Sequence, residues 1–180
     1  VHGERIAAVG DLRDARGNTE IDAAGLTAAP GFIDAHTHDD RALLSDPLMT
    51  CKVSQGVTTV VTGNCGVSLA PLSIDQRPVP PLDLLSDTPE RFFPRFRDYY
   101  AALEVEPAAV NSLAQTGHST LRVAAMDDLD RAADAGEIKA MRRDLETALD
   151  DDAIGLSTGL FYPPAAAAPT GEVIELAAGL

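Results

Sequence analysis

His36-Thr37-His38 is the first point in the chain where metal-binding side chains stand at a useful spacing. In an extended segment the side-chain period is two, so both imidazoles point to one side and can each give a nitrogen to one ion. The bland alternative is a pair of surface histidines. Only four His occur in the chain, and this pair follows directly on the apolar run Gly31-Phe32-Ile33 and Asp34, which favours the metal. Cys65, between Asn64 and Gly66, closes the next apolar run. A free Cys is commonly a small buried hydrophobe, yet a thiolate at a strand end is also a good zinc ligand. His118 ends a third run and would face the same mouth; it reads as a metal ligand or, at least as readily, as a hydrogen-bonded structural imidazole or one that supports a ligand from behind. Arg122 is better read as an ion-pair partner than as a carboxylate clamp. Cys51 is assigned to packing, and Asp150-Asp151-Asp152 to a solvated turn.

The elements that position these groups follow from the apolar pattern. Leu26–Ile33, broken by Pro30-Gly31, reads as a buried strand that emerges at His36. Gly56–Thr62 is β-branched and leads to Gly63-Asn64-Cys65-Gly66. Ala108–Ala114 leads to Gly117-His118-Ser119, and Ala153–Ser157 leads to Thr158-Gly159. Between them, residues 95–104 place Phe96, Tyr99, Tyr100 and Leu103 on one stripe. Residues 135–149 do the same with Ile138, Met141, Leu145, Ala148 and Leu149, and Asp134 with Glu137 forms a capping-box signature. A last helix is expected over about 171–180, with Thr170 as its cap. Residues 4–9 and 19–23 read as short strands, and the Pro-rich stretch 71–81 as a loop over the active face. Strand–helix alternation of this kind argues for an α/β fold with a parallel sheet.

The 180 residues carry 28 acidic and 14 basic side chains, a net charge of −14. With no Lys/Arg cluster, nucleic acid and anionic membrane surfaces are unsuitable partners. No apolar run reaches the ~18–20 residues of a membrane span. Two cysteines make no disulfide framework, and no secretory segment opens the chain, so a cytoplasmic location is the expectation. The start at Val1 and the early stop of the last helix suggest a partial chain.

Longer motifs carry a resemblance. Ala29-Pro30-Gly31-Phe32-Ile33-Asp34-Ala35-His36-Thr37-His38 resembles the entry to the amidohydrolase superfamily barrel. Gly56–Leu72, Gly117–Arg122 and Ala153–Pro164 resemble the N-acyl-D-amino-acid deacylase (D-aminoacylase) family within it. The likeness covers nearly the whole chain. The segment around Cys65 is highly specific, whereas H-x-H is shared across the superfamily.

The resemblance implies the N-terminal half of a (β/α)8 TIM-type barrel over residues 30–180, preceded by a remnant of a small β-domain over 1–29. A full barrel typically needs about 250 residues. It implies Zn2+-dependent hydrolysis of the amide of an N-acyl-D-amino acid. His36, His38 and Cys65 would be metal ligands, and Phe161 and Tyr162, in the family's Phe-Tyr-Pro-Pro segment, would line the substrate pocket. The family's remaining His ligands, its proton-shuttling Asp and its carboxylate-binding Arg come from later in such chains. No catalytic residue is therefore expected within 1–180, and a completing C-terminal half is the expected partner. Asp152 stands where the family often has Gly. A hydantoinase- or dihydroorotase-like amide hydrolase is the alternative. Those resemble one another in using a carboxylated Lys on the fourth strand, and Ala153–Thr158 contains no Lys. An inactive fragment is the third reading.

Overall fold

The computed structural model describes residues 1–180, which divide into two compact units, Val1–Pro30 and Gly31–Leu180. The first contains turns and one isolated antiparallel bridge, His2 with Arg5, but no helix or strand. The strands expected over 4–9 and 19–23 are thus not formed. A strand is stabilised by the ladder it joins, and Val1–Pro30 supplies no such ladder.

The second unit is built on parallel strands. β1 (Phe32–Asp34), β2 (Val57–Thr62) and β3 (Asn111–Ala114) form one sheet in that order. β4 (Thr116–Gly117) and β5 (Leu156–Ser157) form a second parallel pair. The two ladders meet at Gln115: its N–H donates to Thr62 O at 3.1 Å, and the N–H of Thr116 donates to Gly155 O at 2.8 Å. All these strands are parallel, as strand–helix alternation requires.

Seven helices accompany them: α1 (Ala42–Ser45), α2 (Thr50–Val53), α3 (Phe96–Val105), α4 (His118–Ala125), α5 (Ala135–Asp150), α6 (Pro163–Ala166) and α7 (Thr170–Ala177). The expected stripe of α5 is the buried one. Met141, Leu145 and Ala148 are buried, with Ile138 and Leu149 partly so. Each large apolar side chain there contributes about 1.5–3 kcal/mol. The Asp134–Glu137 capping box is formed on both sides. In α3, Phe96 and Tyr99 are buried beside Leu69, Leu72, Leu82 and Leu85. No helix is long and apolar enough to cross a membrane.

Several expectations are corrected. The run Leu26–Ile33 yields only the three residues of β1, and Phe32 and Ile33 are 64% and 65% exposed. β1 lies at the edge of its sheet and pairs on one side only, with β2. Thr170 is the first residue of α7 and Pro169 its N-cap. Cys51 lies in α2 and is exposed, not packed. Asp151 is not solvated: it pairs with Arg95 at 2.7 Å, where the helix ends. Its neighbour Asp152 has φ 71°, the left-handed conformation that glycine adopts freely and Asp tolerates better than most. Residues 71–81 are irregular as expected, and the N–H of Leu72 ties them to Phe93 O.

Candidate metal centre

β2 is the rail on which the centre is built. Its β-branched residues run to Thr62, and the chain then turns sharply through Gly63 (φ 73°), Asn64, Cys65 (φ 46°) and Gly66 (φ 70°). A Cβ on Gly63 would collide with the carbonyl oxygen of Gln115, so glycine is needed there for space as well as for its positive φ. The turn directs Cys65 Sγ to 3.0 Å from His36 Nε2. Donor atoms of His36, His38 and Cys65 all lie within 4.8 Å of one another.

The His pair follows β1. The N–H of Thr37 donates to Val61 O at 3.2 Å, which extends the pairing with β2. Thr37 is therefore buried while His36 and His38 on either side are exposed, the alternation expected of an extended segment. The two rings meet edge to face with centroids 6.0 Å apart. Burial, joined by the neighbouring His36, lowers the pKa of His38, which favours the neutral, lone-pair-bearing imidazole.

Polar groups from behind hold these segments in place. Lys52 of α2 reaches Asp34 at 2.6 Å, Asp39 at 2.9 Å and the Thr37 hydroxyl at 3.1 Å. The hydrogen bond from Lys52 lowers the Asp34 pKa, and Asp34 also accepts the N–H of His36 at 3.2 Å. Asn64 Nδ2 donates to Thr37 O at 3.1 Å and to Val61 O at 2.7 Å, so one side chain links the His segment to the Cys65 turn. Asp40 accepts the N–H of Gly63 at 3.0 Å; burial pushes its carboxyl up to about 7, and its second oxygen has no partner.

The other expected residues are placed differently. His118 does not end a strand. It opens α4, fully buried, with Nδ1 at 3.0 Å from Thr158 Oγ1 and Nε2 at 2.9 Å from Glu172. Neither partner belongs to the His36–His38–Cys65 cluster. Arg122, one turn on, forms the ion pair expected of it, with Glu172 at 2.5 Å and both side chains 0% exposed. Phe161 is 91% exposed, and its ring packs edge to face on Tyr162 at 5.8 Å. Tyr162 borders Gly159, whose backbone is pressed against the carbonyl oxygen of Cys65. Lys52, Asn64, Asp40 and Ser157 are not marked by a residue pattern in the sequence. Only the Asp39-Asp40 pair directly after His38 offered a signal.

Comparison with known proteins adds four likenesses. A family model described as "Amidohydrolase family" matches residues 19–178. A D-aminoacylase of Alcaligenes xylosoxydans xylosoxydans is 59% identical over 176 residues, which are 98% of this chain and 36% of that protein. A solved structure describing the binuclear metal centre of a D-aminoacylase superposes with a TM-score of 0.91 at 56% identity, covering 98% of this chain and 37% of the other. The N-acyl-D-glutamate deacylase of Bordetella bronchiseptica, solved with zinc and a phosphonate inhibitor, superposes at 0.87 with 44% identity, covering 96% and 36%. The chain thus spans little more than a third of the length of the proteins it matches.

Proposed function

Because the chain belongs to the amidohydrolase family, we propose that His36, His38 and Cys65 hold a zinc ion in an enzyme that hydrolyses N-acyl-D-amino acids to a carboxylate and a free D-amino acid. The observation that carries this reading is the convergence of the three donor atoms within 4.8 Å. Zn–N and Zn–S lengths of about 2.0 and 2.3 Å put two donors on one tetrahedral ion roughly 3.5 Å apart. The 3.0 Å from His36 Nε2 to Cys65 Sγ lies near that span. Two imidazoles and a thiolate suit zinc, and three protein ligands are the usual number when a fourth position stays open for chemistry. The relative solved with zinc supports the choice of metal.

A bound zinc ion polarises an amide carbonyl and lowers the pKa of water to roughly 7. The residues of this chain do the holding. The N–H of His36 is tied to Asp34, which Lys52 anchors in turn. Asn64 keeps the His and Cys segments in register. Phe161 and Tyr162 offer an apolar wall for the substrate, with Tyr162 close to the Cys65 turn. The parallel strands β1 to β5, in chain order, fit the first half of a (β/α)8 barrel. The proton shuttle and the cation for the substrate carboxylate would come from residues outside 1–180, in the half that completes the barrel.

The test is a pair of cysteine variants in the intact protein. Cys65→Ala should lose most bound zinc and most deacylase activity, and Cys51→Ala should lose neither, as read by metal content and D-amino acid release. Retention of zinc by Cys65→Ala together with its loss from Cys51→Ala would reverse the assignment.

A further inference from the structure

Cys65 stands in a conformation that its own residue type does not favour. With φ 46° and ψ 34° it is left-handed, and a non-glycine residue stays there only where its surroundings impose it. The turn closes over itself little: the N–H of Val67 donates to Asn64 O at 3.1 Å. The buried N–H of Gly66 and the buried carbonyl of Gly63 find their partner elsewhere. Both meet one hydroxyl, that of Ser157 on β5. Ser157 Oγ accepts the N–H of Gly66 at 3.0 Å and donates to the carbonyl oxygen of Gly63. One side chain therefore bridges the residues on either side of Asn64-Cys65.

Ser157 is itself fixed. It sits opposite Gly117 in the β4–β5 ladder, and the next residue, Thr158, is held by His118, whose other nitrogen bonds to the buried Glu172. Gly159 then lays its backbone on the Cys65 carbonyl and leaves no room for a side chain. The turn is held by a strand from a distant part of the sequence.

We propose that Ser157 is a positioning residue of the metal centre: its hydroxyl, by bridging Gly63 and Gly66, holds Cys65 in the left-handed conformation that aims Sγ at His36. This inference rests on the reading of His36, His38 and Cys65 as metal ligands. Without the hydroxyl, a buried N–H and a buried C=O lose their partner, and Cys65 is released toward the conformations it prefers.

Cobalt(II) serves as the probe, because a thiolate bound to it gives a near-ultraviolet charge-transfer band. In the intact protein, Ser157→Ala should weaken cobalt binding by about tenfold or more, the range seen when hydrogen-bond partners behind metal ligands are removed. The amide proton of Gly66 should exchange faster in the same variant. Ser157→Thr, which keeps the hydroxyl, should restore the band and the slow exchange. Cobalt binding by Ser157→Ala within about twofold of the unaltered protein overturns the proposal, since that is well short of the expected loss. If the unaltered protein shows no band that depends on Cys65, the metal reading fails instead. Gly66 exchange then decides for Ser157: faster exchange in Ser157→Ala upholds its grip on the turn, and unchanged exchange refutes it.

Discussion

Glu172→Gln removes one negative charge from the middle of the buried network. Glu172 Oε1 takes hydrogen bonds from Arg122 at 2.5 Å and His118 at 2.9 Å, and Oε2 takes the N–H of Ala133 at 3.2 Å. A glutamine has one acceptor oxygen, so whichever way its amide turns, its NH2 faces a donor. Arg122 keeps its bonds to the carbonyls of Pro164, Leu129 and Arg131, at 2.5, 3.3 and 2.6 Å, but loses its counter-charge. Breaking a buried pair typically costs about 3–5 kcal/mol. The three carbonyls partly solvate the guanidinium, so the loss is expected near the low end, about 3–4 kcal/mol. With a urea slope near 2 kcal/mol/M, the midpoint should fall by roughly 1.5–2 M. The comparison should be made by far-UV circular dichroism on the intact protein.

The pH dependence gives a second readout of the same charge. Burial pushes the Glu172 carboxyl up, but the hydrogen bonds from Arg122, His118 and Ala133 more than offset it, so its folded pKa lies below the ordinary 4.5. A depressed carboxyl contributes stability that is complete above its unfolded pKa and is lost as pH falls through the folded one. The gap between Glu172→Gln and the unaltered protein should therefore be full at neutral pH and narrow below about pH 4.5. Adding Arg122→Met should recover much of the loss, because the orphaned charge is gone. A midpoint shift below about 0.5 M, or a gap that does not change with pH, would refute this account.

Gly63→Ala combines a positive φ with a collision against Gln115, so it should destabilise by more than the roughly 1–2 kcal/mol of a left-handed residue alone. Thermal unfolding checks this, and an unchanged melting temperature would show that the turn relaxes freely. Asp134→Ala opens the capping box of α5, where the Arg131 hydrogen bond and the Asp134 N–H hold Glu137 down to about 2. A loss of about 1 kcal/mol in urea unfolding is expected, and no loss would mean the cap is idle. The exposed Phe32 and Ile33 on the edge strand β1 should make the 180-residue chain alone self-associate. A single monomeric boundary in sedimentation velocity would contradict that.

Local patterns of residues were enough for much of the molecule. The α5 stripe and its Asp134–Glu137 cap, the β-branched run of β2 and the same-side spacing of His36 and His38 were legible because helix and strand periods act over a few neighbouring residues, whereas Cys65 joined them only through the family resemblance. What lay beyond that reach was the meeting of single polar groups from distant segments. Nothing near Ser157 marks it as the partner of Gly63 and Gly66, and nothing near Glu172 marks it as the counter-charge of Arg122. The same limit explains β1, whose apolar residues read as buried although burial depends on what packs over them. It explains His118 too, where an apolar run ran on past β3 while the ladder changed partners at Gln115, so that the imidazole begins a helix. Periodicity states which groups can share a face; only the tertiary arrangement decides which of them touch, because each such contact joins residues whose separation in sequence carries no signal.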